Sequence, residues 1–142
     1  MGKCYNTITV NVPIDKVWST IKDFHDLSWA KDVIESVEKV GDKKGDQIGA
    51  RRILNGVFHE TLHAVNELAH SFAYTIDDGP GAVSKDLVRN YVGSVKLLPV
   101  TSDNSTFVEW ATRYDSADDS AVGELCNPIY HALLEALRSH FA

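Results

Sequence analysis

One acidic residue stands on a face of a predicted strand that is otherwise apolar, and it is the strongest candidate for chemistry in this sequence. Residues alternate between the two faces of a strand, so the segment 57–68 presents one face made of Phe58, Glu60, Leu62, Ala64 and Leu68. A carboxyl group on such a face requires a hydrogen-bonding partner or acquires a raised pKa, as ligand-orienting and acid–base groups do. The alternative is a buried glutamate whose role is purely structural.

Two adjacent arginines, Arg51 and Arg52, are candidate partners for the Glu60 carboxylate. Only one of them can point inward, because neighbouring residues of a strand point to opposite faces. Arg52 shares its face with the apolar residues Ile48, Ala50 and Leu54, so we favour Arg52 as the inward partner.

Aromatic and apolar side chains of the later strands are predicted to share this interior. They are Phe72, Tyr74 and Ile76 in one strand, Tyr91, Gly93, Val95 and Leu97 in the next, and Val108, Trp110, Thr112 and Tyr114 in the last. Buried tyrosine hydroxyls require partners, and polar tips that converge in an apolar cavity are the usual geometry of a ligand site. Each aromatic residue could equally belong to a filled core. Gly93 could leave room for a ligand.

The histidines do not have the spacing of metal ligands. His59 and His63 are four residues apart in a strand, which separates them by roughly 13 Å. His131 and His140 are nine residues apart in the C-terminal segment and also fail this test. The segment 78–81 lacks the lysine and following helix of a phosphate-binding loop, and no nucleophile elbow is present. The sequence therefore predicts neither a metal site nor a cofactor.

Composition favours a small molecule as the partner. The 142-residue chain has a net charge of -6 and no cluster of basic residues longer than a pair. Nucleic acids and anionic membranes attract basic surfaces, so both are disfavoured as partners. No segment has the apolar length of a membrane span or the pattern of a secretory signal, which predicts a cytoplasmic protein without stable membrane insertion. The length suits one domain over residues 1–142.

The elements that must position these residues follow from hydrophobic periodicity. Alternation predicts a first strand over 3–12, and helical spacing after Pro13 predicts a short helix to about residue 23, followed by a short helical or turn segment around Trp29. Six further strands are predicted over 34–40, 47–54, 57–68, 72–77, 88–100 and 106–114. Asn55-Gly56 is predicted to form a two-residue hairpin turn. A long C-terminal helix is predicted over 118–141, which Pro128 either kinks or begins.

This order of elements predicts the fold class and the place of a pocket. Clustered strands flanked by helices are typical of an α+β domain. An antiparallel sheet covered by a long helix buries one face of every strand, and strong curvature leaves a space between the sheet and the helix. That space is a candidate pocket for a small apolar ligand.

Several segments occur in an order that is typical of one superfamily. They are Val12-Pro13-Ile14-Asp15-Lys16-Val17-Trp18, Asp23-Phe24, Trp29, Gly49-Ala50-Arg51-Arg52, Glu60-Thr61-Leu62, Asn90-Tyr91 and Trp110. Together they resemble the START-like, or SRPBCC, superfamily. The chain is most similar to its polyketide cyclase/dehydrase and lipid-transport group, and more distantly similar to plant abscisic acid receptors and birch-pollen-type allergens. The resemblance implies a helix-grip fold, in which a seven-stranded antiparallel sheet curves around a long C-terminal helix.

The resemblance also implies positions that face the cavity. Glu60 and Tyr91 match a glutamate and a tyrosine in the cavity of the plant receptors, whereas Glu35 stands where those receptors carry a cavity lysine. The receptors' gate loop is reduced here to Asn55-Gly56. These two departures argue against abscisic acid sensing.

Three functions follow as hypotheses. The leading one is binding or transport of a small hydrophobic ligand, such as a lipid, polyketide or aromatic compound, by Glu35, Arg52, Phe58, Glu60, Leu62, Tyr74, Ile76, Tyr91, Trp110 and Leu133. The second is a cyclase or dehydratase with Glu60 as the acid–base group and Tyr91 as a proton donor or oxyanion stabiliser. The third is a ligand-responsive regulatory module. The loop 79–86 is either a lid over the pocket or an ordinary mobile loop.

Overall fold

Seven antiparallel strands form one curved sheet in a computed structural model that describes residues 1–142. The strands are β1 (Gly2–Val10), β2 (Val37–Val40), β3 (Arg51–Leu54), β4 (Phe58–Asn66), β5 (Ser71–Asp78), β6 (Val88–Val100) and β7 (Ser105–Ser116). Their order across the sheet is β1-β7-β6-β5-β4-β3-β2. The helices are α1 (Ile14–Ile21), α2 (Asp119–His140) and two short 3-10 helices, Ser28–Ala30 and Gly81–Val83. The predicted α+β helix-grip architecture is confirmed.

The C-terminal helix α2 begins before Pro128 and continues through it. The Asp118 side chain caps the helix by accepting a hydrogen bond from the Ala121 N–H at 3.1 Å. The buried face follows helical spacing and consists of Val122, Cys126, Tyr130, Leu133, Leu134 and Leu137. The proline is therefore an interior residue of α2 and does not mark its start. Neither α1 nor α2 has an apolar stretch long enough to cross a membrane.

A β-bulge interrupts the alternation of β4. Leu62 pairs with Tyr74, but Ala64 pairs with Ala73, so His63 is an extra residue on β4. One extra residue reverses the faces of all that follow it. The predicted inward positions of Ala64 and Leu68 are therefore wrong: Ala64 is exposed, and Leu68, which lies beyond the strand, is 95% exposed.

The strands β2 and β3 are shorter than their sequence patterns predict. A turn in which the Ala50 N–H bonds to the Gln47 carbonyl precedes β3, and Gly49 within it has a φ of 95°. Ile48 is consequently 62% exposed, which corrects its predicted position on the inner face. Ahead of β2, the N–H groups of residues 35 and 36 bond to the Asn55 side chain, at 2.7 and 3.3 Å. Asn55 and Gly56 form the predicted two-residue turn, with φ values of 53° and 73°.

Gly93 on β6 makes room for a tyrosine of the neighbouring strand. It pairs with Tyr74, and a Cβ placed on Gly93 would lie 2.3 Å from the Tyr74 ring carbon Cζ and 2.5 Å from its hydroxyl oxygen. The space that the missing side chain leaves is thus filled by protein. This corrects the expectation that Gly93 leaves room for a ligand.

We expect Gly93→Ala to destabilise the fold because the added methyl group overlaps the Tyr74 ring. The free energy of unfolding, measured by urea denaturation, should fall by about 1–3 kcal/mol. The matched control is Ser94→Ala on the same strand, where the change should stay within about 0.5 kcal/mol. Equal stability of Gly93→Ala and the parent protein would contradict the close packing of Tyr74 on β6.

Candidate functional site

A cavity of about 100 Å³ lies between the inner face of the sheet and α2. Most of its lining is apolar, and the residues are Leu27, Val33, Ile34, Arg52, Leu54, Asn55, Phe58, Glu60, Tyr74, Ile76, Trp110, Cys126, Ile129, Tyr130 and Leu133. A cavity of about 150 Å³ is known to hold benzene in another protein. The space in this structure is smaller than that cavity.

A buried ion pair between β3 and β4 forms part of the cavity wall. Arg52 and Glu60 pair across the two strands, and their side chains are only 5% and 6% exposed. Arg52 Nε and Nη2 donate to Glu60 Oε1 at 2.8 and 2.7 Å, and Nη1 donates to the Phe24 carbonyl at 2.8 Å. The guanidinium also lies 3.7 Å above the centre of the Phe24 ring. Arg52 is the inward arginine, as strand alternation predicts, whereas Arg51 is exposed.

Burial and the arginine have opposite effects on the Glu60 carboxyl. Burial raises its pKa above the ordinary value, and the neighbouring Arg52 opposes this rise without cancelling it. Protonation of Glu60 would leave the guanidinium buried without a counterion, and arginine itself does not lose its proton. The pair is therefore ionised at neutral pH. No protein donor reaches the second carboxylate oxygen, Oε2.

A chain of hydrogen-bonded aromatic side chains forms the opposite part of the wall. Trp110 Nε1 donates to the Tyr74 hydroxyl at 2.8 Å, and this hydroxyl donates to the Tyr130 hydroxyl at 3.2 Å. Tyr130 is also hydrogen-bonded to Tyr91. Burial raises the pKa of each of these three tyrosines above its ordinary value. The hydroxyls are therefore neutral over the physiological range and satisfy one another inside the protein.

A second bulge, on β6, turns Tyr91 toward the interior. Arg89 pairs with Asp115 and Val92 with Arg113, and Asn90 between them has a φ of 55°. The Tyr91 ring stacks on Tyr114, with ring centres 5.3 Å apart. Tyr91 is buried but does not line the cavity, and its hydroxyl partner Tyr130 does.

The structure brings most of the predicted ligand-binding residues to this cavity. Those that line it are Arg52, Phe58, Glu60, Tyr74, Ile76, Trp110 and Leu133. Leu62 and Tyr91 are buried outside the lining. Glu35 is exposed because it precedes β2, in a segment whose backbone is bonded to Asn55, so its predicted place in the cavity is wrong.

Eight lining residues were not predicted, and part of the signal for them was present. Cys126, Ile129 and Tyr130 share the helical stripe of Leu133 on α2, and this spacing could have identified them. Leu27, Val33 and Ile34 lie between α1 and β2, on either side of the 3-10 helix Ser28–Ala30. The sequence predicts a short helical or turn segment near Trp29 and a strand from residue 34, but it gives no signal that these residues face the cavity. Leu54 and Asn55 complete the set. Asn55 holds this segment to the sheet, since its Nδ2 donates to the Val33 carbonyl at 3.1 Å.

The loop 79–86 is fastened to the rest of the protein at several points. It contains a 3-10 helix in which Val83 is buried. Asp78 Oδ1 accepts hydrogen bonds from the N–H groups of Gly79 and Lys85, at 2.9 and 3.0 Å. No residue of this loop lines the cavity. Its role as a lid stays a prediction.

Comparison with known proteins places the chain among proteins of the same fold. The family model for polyketide cyclase/dehydrase and lipid transport matches residues 1–142. A protein of Nitrosospira multiformis is 46% identical, with a TM-score of 0.96, over 99% of this chain and 96% of that one. XoxI of Bacillus cereus is 22% identical, with a TM-score of 0.81, over 99% and 96% of the two chains. Ara h 8.0201 is 16% identical, with a TM-score of 0.77, over 98% and 96%. No curated protein matches the sequence.

Because Arg52 and Glu60 form a buried ion pair, we expect the effects of their substitutions on the free energy of unfolding to be strongly non-additive. Glu60→Leu alone should lower the free energy of unfolding by about 3–5 kcal/mol, because it leaves the Arg52 charge buried without a partner. The double variant Arg52→Met/Glu60→Leu should recover at least half of this loss, although the Phe24 carbonyl then lacks its donor. Urea denaturation of the two single variants and the double variant measures the coupling. Strictly additive losses would contradict the pairing.

The buried tyrosines predict a loss of stability in alkali. Burial raises the pKa of Tyr74, Tyr91, Tyr114 and Tyr130, whereas tyrosines of an unfolded chain titrate near the ordinary value of about 10. Above that pH the unfolded chain loses protons that the folded chain retains, so the free energy of unfolding falls as the pH rises.

Phenolate absorbance and circular dichroism, recorded together through an alkaline titration, test this behaviour. Of the five tyrosines in the chain, only the exposed Tyr5 should ionise while the protein stays folded. Its own pKa is raised by the hydrogen bond to Glu109, so this step should also come above the ordinary value. Ionisation of two or more tyrosines before the fold is lost would contradict the buried hydroxyl chain.

Proposed function

This chain belongs to the polyketide cyclase/dehydrase and lipid-transport family of the START-like superfamily, and we propose that it binds a small, largely apolar molecule between its sheet and α2. The observation that carries the proposal is a cavity with an apolar lining that also contains a buried ion pair. Such a combination, mostly apolar with a few placed polar groups, is the usual composition of a small-molecule site.

The apolar lining supplies affinity and the polar groups supply orientation. Phe58, Ile76, Trp110 and Leu133 would remove apolar ligand surface from water, at roughly 25 cal/mol for each Å² buried. The ion pair and the hydroxyls of Tyr74 and Tyr130 stand at fixed positions on the wall, because each is held by hydrogen bonds within the protein. A ligand would be oriented by these groups at little cost in side-chain entropy.

The size of the cavity limits what binds without movement of a wall. Drug-sized ligands occupy pockets of about 300–1,000 Å³, whereas this cavity measures about 100 Å³. A lipid or polyketide would therefore require expansion. The segment from Leu27 to Ile34 is the part of the wall that we propose to move, because it lies outside the sheet. Its movement would break the hydrogen bond from Asn55 Nδ2 to the Val33 carbonyl.

The same geometry favours binding over turnover. A cyclase or dehydratase that used Glu60 and Tyr91 would need both groups at the ligand, but Tyr91 lies outside the lining and its hydroxyl is engaged by Tyr130. Enzymatic activity is therefore the second candidate. A regulatory role and a cytoplasmic location stay predictions from the sequence.

A tryptophan placed in the cavity should weaken ligand binding. Ile129 lines the cavity on α2, so Ile129→Trp fills the space with its indole ring, whereas His131→Trp adds the same ring on the exposed side of the helix. Toluene, naphthalene and dodecanoate serve as probes, with affinity measured from changes in side-chain methyl chemical shifts. Ile129→Trp should weaken every probe that binds by at least about tenfold, and His131→Trp should bind as the parent does.

Two results would count against the proposal. If Ile129→Trp binds the probes as tightly as the parent protein, the ligand site lies elsewhere. If none of the three probes binds the parent protein, the cavity is part of a closed core and has no binding function.

A further inference from the structure

One carboxylate oxygen of a residue in the cavity wall receives no hydrogen bond from the protein. The Glu60 side chain is 6% exposed, and both Arg52 groups that reach it donate to the same oxygen, Oε1. The third nitrogen of the guanidinium, Nη1, donates to the Phe24 carbonyl instead. Oε2 therefore has no hydrogen bond from the protein. This oxygen is not fully enclosed by the protein, so it is open to a donor from water or from a ligand.

The other polar side chains of the lining already have protein partners. Tyr74 accepts from Trp110 and donates to Tyr130, and Tyr130 is also bonded to Tyr91. Asn55 uses both its oxygen and its nitrogen on the backbone of the segment before β2. The free carboxylate oxygen is therefore the polar atom of the lining that most needs a ligand.

The charge of the cavity decides which ligands suit this atom. Arg52 and Glu60 are the charged residues of the lining, and they neutralise each other at 2.7 Å. A ligand carboxylate would find no uncompensated cation and would lie close to the negative Oε2. A neutral ligand with a hydroxyl or N–H group would instead satisfy the free oxygen without adding charge.

We propose that the ligand of this cavity is a neutral molecule with an apolar ring and a hydroxyl or N–H group, which donates a hydrogen bond to Glu60 Oε2. Phenols are the simplest members of this class. The proposal rests on the proposed function, because it assumes that the cavity binds a ligand. It narrows that function from small apolar molecules in general to hydrogen-bond donors, and it excludes carboxylic acids.

Two isomers provide a matched test in the unmodified protein. p-Cresol and anisole have the same atoms, but only p-cresol carries an O–H donor. A hydrogen bond to a charged acceptor corresponds to about a ten- to hundredfold gain in affinity, so p-cresol should bind at least about tenfold more tightly than anisole. Benzoate should bind more weakly than either compound. Toluene provides the reference affinity of a ring that has no polar group. Methyl chemical shifts give all four affinities.

A variant and a structure locate the effect. In Glu60→Gln the amide oxygen can accept from Arg52, which turns the amide N–H groups toward the cavity, so the ratio of p-cresol to anisole affinity should fall to about one. Circular dichroism checks that this variant is folded. If it is not, a crystal structure of the parent protein with p-cresol replaces it, and the cresol oxygen should lie within hydrogen-bonding distance of Glu60 Oε2.

The outcomes separate this inference from the proposed function. If toluene and anisole bind as tightly as p-cresol, the cavity binds ligands but the donor requirement is wrong. Tighter binding of benzoate than of p-cresol would overturn the inference in favour of an anionic ligand. If none of the uncharged probes binds, the proposed function itself fails.

Discussion

The ion pair between Arg52 and Glu60 is the interaction on which the site depends. It links β3 to β4, and through the Phe24 carbonyl it also holds the segment that follows α1. A buried ion pair of this kind is costly to desolvate and is stable only when its hydrogen bonds are made. Each of the three arginine nitrogens donates a hydrogen bond, whereas one oxygen of the carboxylate receives none from the protein. The pair thus stabilises the wall and leaves one polar atom for recognition.

Around this pair the protein fills most of the space that the curved sheet encloses. Tyr74 occupies the place of a side chain at Gly93, and its hydroxyl connects Trp110 on β7 to Tyr130 on α2. Such a chain of hydroxyls fixes the aromatic rings in place, because each buried polar tip must keep its partner. The result is a small cavity with rigid walls on the sheet and helix sides. The segment between α1 and β2 closes the remaining side.

Strand alternation was sufficient to predict which charged and aromatic side chains of the sheet point inward. It could not predict where a bulge interrupts the alternation. It placed Arg52, Glu60, Tyr74 and Trp110 inside, and the structure buries all four. It failed beyond the bulge at His63, where one extra residue reverses the faces. The wall from Leu27 to Ile34 consists of short helical turns, with N–H groups of Ala30, Val33 and Ile34 bonded within the segment, and such turns are too short to show a hydrophobic period. Glu35 was assigned to the cavity by resemblance alone, and the structure places it at the surface.

The central claim is that the space between the sheet and α2 receives a ligand. A crystal structure of the protein saturated with toluene tests it directly, because the probe has no polar group and its position depends on the cavity alone. The account predicts toluene density in contact with Phe58, Ile76 and Leu133, together with displacement of the segment from Leu27 to Ile34. Crystals in which this space holds no toluene and the walls are unmoved would contradict it.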